Sequence, residues 1–146
     1  MGYTVYFEIS PVLDAEKFET FSEQVRQILG EAKVLGIKIV NGMGKVNTEP
    51  IVNKELILFN GKEKDACESL FIQRVEGSSR KKNDRLVFNF CKTARKPYDL
   101  IVKATLVMLK HNFPESVIQA DGTISDFDAA IKLCEKLFGK INFELY

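Results

Sequence analysis

The spacing of apolar residues changes period several times along this chain, and each change limits what the segment can become. Tyr3, Val5, Phe7 and Ile9 alternate with Thr4, Tyr6 and Glu8. That period of two puts alternate side chains on opposite faces of a strand, which ends near Ser10-Pro11. From about residue 14 to residue 29 the period becomes helical, with Phe18, Phe21, Val25, Ile28 and Leu29 on one face. Gly30 is placed to terminate this amphipathic helix. Residues 37–40 read as a short strand, followed by Asn41-Gly42-Met43-Gly44-Lys45, whose glycines suit a turn. Glu49-Pro50 marks a loop before a third strand over about residues 55–60.

Two further strands, over residues 69–75 and 85–92, are expected to pair as a hairpin across the long polar loop of residues 76–84. In the second, Leu86, Phe88 and Phe90 share one face and Val87, Asn89 and Cys91 the other. The helix expected over residues 97–111 is apolar over a wide arc, through Leu100, Ile101, Ala104, Val107, Met108 and Leu109, which places it at the centre of the core. Residues 117–120 form another short strand. After Asp121-Gly122 comes a last helix capped by Ser125 with Asp128 three positions on, buried through Phe127, Ala130, Ile131, Cys134, Leu137 and Phe138, and ended by Gly139. The tail, residues 141–146, alternates like a strand suited to the edge of the sheet or to a second copy of the protein. The order predicts a single α+β domain over residues 1–146, with three helices packed on a largely antiparallel sheet of five or six strands.

A chain of 146 residues, 45% of them hydrophobic, can bury one sizeable core. The net charge is only +1, which argues against a nucleic-acid binder held by bulk charge. Its distribution is uneven: nine Lys or Arg stand against two Asp in residues 78–110, a local +7 that leaves −6 for the remainder. That pattern is compatible with one basic face, although solvated charges that point in different directions are the commoner cause. No apolar run reaches the roughly 18 residues of a membrane span, and the first residues lack the form of a signal peptide, so the expectation is a soluble, cytoplasmic protein. Cys67, Cys91 and Cys134 contain no CxxC pair, which suggests neither a disulfide framework nor a zinc site.

The functional candidate is the turn between the Phe88–Phe90 strand and the following helix. With Pro97 as the first helical residue, Lys96 becomes the N-cap and offers no side-chain oxygen to the first-turn amides. Lys92, Arg95 and Lys96 also crowd the positive end of the helix dipole, disfavoured by about 0.3–1 kcal/mol each. A bound anion resolves both conflicts, with Lys92, Thr93, Arg95 and Lys96 as ligands to a phosphate and Tyr98 as an aromatic edge. The structural alternative is that Asp99, in the first turn, pairs with Arg95 or Lys96.

Other chemistries are set aside. His111 is the only histidine, so no two-histidine metal or phosphodiesterase site can form, and a Cys-His dyad has no support in the spacing. Gly42-Met43-Gly44-Lys45 lacks P-loop spacing, and Asp121, Asp126 and Asp128 do not follow a calcium loop. Phe88 and Phe90 look like a base-stacking strand, but Arg85-Leu86-Val87-Phe88-Asn89-Phe90 lacks the glycines of an RNA-recognition signature and core packing explains them better. Nothing calls for a metal or a cofactor.

Phe90-Cys91-Lys92-Thr93-Ala94-Arg95-Lys96-Pro97-Tyr98-Asp99, followed by an apolar helix, an Asp-Gly turn and a last helix ending in Phe138-Gly139, resembles a family of small uncharacterised phage and bacterial proteins. The resemblance covers about the C-terminal third and implies a phage context, hence the host cytoplasm, but no activity. Small phage proteins without catalytic groups can inhibit host defence by sequestering a nucleotide signal or by binding a protein. The expectation is therefore a non-enzymatic binding protein for a phosphate-bearing small molecule at the basic turn. The alternative is a protein-interaction or oligomerisation module that meets an acidic protein surface; nucleic acid is a lesser candidate partner, and an enzyme using Asp99, Tyr98 and a lysine ranks last.

Overall fold

The structure is a computed structural model that describes residues 2–42, 44, 48–76 and 85–146. Part of the Asn41–Lys45 turn and the loop of residues 77–84, with the basic residues 80–82, lie outside the described residues. The described elements are β1 (Thr4–Ile9), α1 (Ala15–Val34), β2 (Ile39–Val40), β3 (Ile51–Val52), β4 (Leu56–Gly61), β5 (Leu70–Gln73), β6 (Val87–Lys92), α2 (Asp99–Asn112), β7 (Val117–Ala120) and α3 (Asp128–Phe138). Single 3₁₀ turns occupy Glu63–Asp65 and Ile124–Phe127. The protein is α+β, with helices packed on antiparallel sheets.

One sheet has the order β6-β1-β7. Both outer strands are antiparallel to β1, so β6 and β7 are parallel to each other and are joined by α2, a βαβ unit split by β1. The second sheet is built on β4, which pairs antiparallel with β2, β3 and β5. The hairpin expected between β5 and β6 is therefore corrected: β5 pairs with β4, and β6 with β1. The sheets are stitched at both ends, where Glu68 N donates to Lys92 O (2.9 Å) and, at the other end, a bridge links Val12 to Val75. One contiguous core takes residues from both sheets and all three helices.

The inner row of β1, Tyr3, Val5, Phe7 and Ile9, is buried as its alternation requires. Asp14 caps α1 by accepting from Lys17 N, 3.0 Å. The helix runs through Gly30 and stops at Gly36, which takes φ +77°. Gly36 N donates to Lys33 O and Ile37 N to Ala32 O, the paired bonds of a Schellman end. Every residue of α2 from Ile101 to Leu109 is buried, including Lys103 and Thr105, so this helix fills the centre as its composition predicts.

Other boundaries also differ from expectation. α2 begins at Asp99, because residues 93–98 form a separate turn. The approach to α3 is set by Asp126, whose carboxylate accepts from Thr123 N (2.9 Å), rather than by Ser125 and Asp128. Residues 141–146 form no strand: Ile141 is buried, Phe143 stacks on Phe127 with ring centres 5.1 Å apart, and Tyr146 N donates to Ile118 O of β7. Among the described residues no helix is long and apolar enough to cross a membrane.

Candidate functional site

The basic turn is closed by its own backbone. Thr93 N and Ala94 N both donate to Tyr3 O, at 3.0 and 3.1 Å, which ties the end of β6 to the start of β1. Arg95 N donates to Thr93 Oγ1, Lys96 N to Thr93 O, and Asp99 N to Lys96 O. Of the first-turn amides that a bound anion was expected to meet, Asp99 N thus has a partner within the chain. Ala94 and Arg95 both sit in the left-handed region, φ 51° and 57°, a conformation that costs a residue with a Cβ about 1–2 kcal/mol.

Two of the five residues singled out in the sequence, Thr93 and Tyr98, are buried, whereas Lys92, Arg95 and Lys96 reach the surface. Thr93 is fully buried and its hydroxyl donates to Asp99 Oδ1, 2.5 Å, while Asp99 Oδ2 lies 2.6 Å from Lys103 Nζ. Tyr98 is also buried, so it presents no aromatic edge to a ligand; its hydroxyl donates to Glu68 O at 2.6 Å, and burial raises its pKa. Arg95 is exposed, rests 4.0 Å from the centre of the Tyr3 ring and pairs with Asp126 at 3.6 Å. The Asp126 carboxyl is held below its ordinary range by the Thr123 amide and, to a lesser degree, by Arg95. Lys92 and Lys96 reach the surface and form no ion pair among the described residues. The sequence located the turn but missed Lys103 and Asp126, the partners that neutralise Asp99 and Arg95.

A different surface emerges on the outer face of the β6-β1-β7 sheet. Phe88 and Phe90, expected in the core, are each 56% exposed. The register explains why. Val5 pairs with Cys91, Phe7 with Asn89 and Ile9 with Val87, so the bulky inner row of β1 is matched by the smaller side chains of β6. Phe88 and Phe90 are left on the face of Thr4, Tyr6 and Glu8. There Tyr6 stacks on Phe88 at 6.1 Å and 25°, and Phe88 meets Phe90 at 6.0 Å and 35°, a continuous row of three rings. Tyr6 is oriented by its hydroxyl, which donates to Asp121 Oδ1 at 2.8 Å; that bond, more than any burial, raises the Tyr6 pKa. Lys92, paired with Thr4, stands at one end of the same face, and Glu8, paired with Phe88, lies beside the rings. The sequence carried one signal for this surface, the Phe-x-Phe spacing on a strand whose other face holds Asn89 and Cys91.

Chemically the face offers stacking, one free ammonium and a flanking carboxylate. The cysteines add no nucleophile in the core: burial pushes the Cys91 and Cys134 thiols well above their ordinary range. Among the described residues no group of three His, Cys, Asp or Glu is placed to hold a metal. Comparison with family models, with curated proteins and with solved structures found no match for this chain.

Proposed function

We propose that this is a non-enzymatic binding protein that takes a short single-stranded nucleic acid on the outer sheet face, its bases stacked on Tyr6, Phe88 and Phe90 and a phosphate met by Lys92. The observation that carries this reading is the exposed row of three rings at 6.1 and 6.0 Å on an open sheet. The phosphate-bearing ligand is kept from the sequence reading, but it moves from the basic turn, where Thr93 and Tyr98 are buried and Arg95 is paired with Asp126, to the neighbouring face that Lys92 shares. Magnitudes favour a strand over a mononucleotide. One base stack contributes about 1–3 kcal/mol, whereas a micromolar dissociation constant requires about 8 kcal/mol, so a ligand that touches one ring and one cation binds too weakly to be held.

Fluorescence anisotropy with labelled eight-nucleotide DNA and RNA strands tests the proposal. Phe88→Ala and Phe90→Ala are each expected to weaken binding about 5- to 150-fold, and to leave the melting temperature nearly unchanged because both rings are exposed. Lys92→Gln is expected to reduce the salt dependence, which is shallow to begin with for so few phosphate contacts. Absence of binding by the unaltered protein overturns the reading. The carboxylates of Glu8 and Asp121 beside the rings favour a second one, in which the same face meets a protein partner through aromatic anchors.

A further inference from the structure

We infer a second site, for a small organic monocarboxylate, in the groove between the C-terminal half of α1 and the β2–β3 side of the second sheet. It is an open groove of about 320 Å³, in which Arg26, Gly30, Lys33 and Glu49 are exposed to solvent. Its floor is apolar, made by Leu29, Ile37, Ile39 and Val52. Arg26 and Lys33, two turns apart on α1, line one side with Gly30 between them, and Glu49 faces them from the segment before β3. Arg26 Nη2 donates to Val52 O, which pins the guanidinium against the sheet, and neither Arg26 nor Lys33 forms an ion pair among the described residues.

Gly30 is the independent pointer. It lies inside α1, where glycine weakens a helix. It does not take a positive φ, and a Cβ built there meets no atom within 4 Å, so neither backbone conformation nor close packing calls for glycine. Its effect is to leave the helix wall flat where any larger side chain would project into the groove. The pattern fits a ligand with an apolar body on the floor and one carboxylate on the Arg26 fork, with Lys33 supplying the second positive charge. Glu49 opposes a second negative charge, which selects a monoanion over a phosphate ester.

The test is a chemical-shift titration of the full chain with octanoate, 4-phenylbutyrate, phenyl phosphate and inorganic phosphate. Saturable shifts at Leu29, Gly30 and Ile37 with the two carboxylates, and little response to either phosphate, are expected. Gly30→Leu should fold with a raised melting temperature and lose the response, and Lys33→Gln should weaken it about tenfold. No saturation by either carboxylate up to about 1 mM, an equal response to inorganic phosphate, or an unchanged response in Gly30→Leu would each overturn the assignment. The site is separate from the Phe88–Phe90 face, so its failure leaves the nucleic-acid reading untouched, and the converse holds.

Discussion

Tyr3 shows how much of the turn's chemistry is spent on holding the fold. Its ring lies 4.0 Å from the Arg95 guanidinium and 4.4 Å from Lys103 Nζ, and each cation answers to its own carboxylate, Asp126 and Asp99. Burial, helped by Asp126 and Asp99, pushes the Tyr3 hydroxyl up to about 12 from an ordinary 10. Because the folded state keeps this proton longer than the unfolded chain, the associated stability is complete below pH 10 and is lost as pH rises through about 12. Tyr98, raised by burial as well, acts in the same direction. The Tyr3 hydroxyl has no hydrogen-bond partner among the described residues, so Tyr3→Phe should change stability at neutral pH by no more than about 1 kcal/mol. The same variant should make the alkaline loss shallower; urea unfolding from pH 7 to pH 12 measures both. The sequence could display three cations before a helix, but the partner of Arg95, Asp126, comes from the approach to α3. Local charge alone could not show that a distant carboxylate already stands beside one of them.

At the level of elements, the helices were legible and their ends were less so. The helical stripe Phe18, Phe21, Val25, Ile28 set α1 correctly, yet Gly30, its expected terminator, lies inside the helix, which ends at Gly36. Gly36 wins because the end requires a positive φ there and the bond from Ile37 N to Ala32 O, while the apolar contacts of Ala32 carry the helix past Gly30. Gly30→Ala should accordingly stabilise the protein by about 0.5–1 kcal/mol, since the helix gains propensity and the new methyl meets open space. A raised urea midpoint with an unchanged slope is the expected result. β6 carries the opposite lesson. Its alternation was plain, but period two cannot say which of two rows turns inward, and the more hydrophobic row was the natural choice. Pairing with β1 reversed that choice, because the row opposite Val5, Phe7 and Ile9 has to be small where β1 is already large.

For the whole molecule, the tail and the two sheets separate what neighbouring residues can settle from what they cannot. The tail's alternation suggested an edge strand or a contact with another copy. It lies instead across its own domain, with Ile141 in the core, Phe143 on Phe127 and Leu145 packed against the same cluster. Deleting residues 141–146 should lower unfolding stability by about 3–6 kcal/mol, the worth of one buried and two half-buried apolar side chains. It should also leave the subunit count in native mass spectrometry equal to that of the full chain; a change in that count would show the tail joining copies. The α+β class, the central helix α2 and the inner row of β1 follow from hydrophobic period and content, quantities that a chain carries residue by residue. The assignment of β5 and β6 to different sheets, the pairing of Arg95 with Asp126, the outward Phe88 and Phe90 and the groove beside Gly30 were decided by tertiary structure. Each depends on the side chain or backbone that long-range pairing brings opposite, and spacing along the chain does not encode that partner.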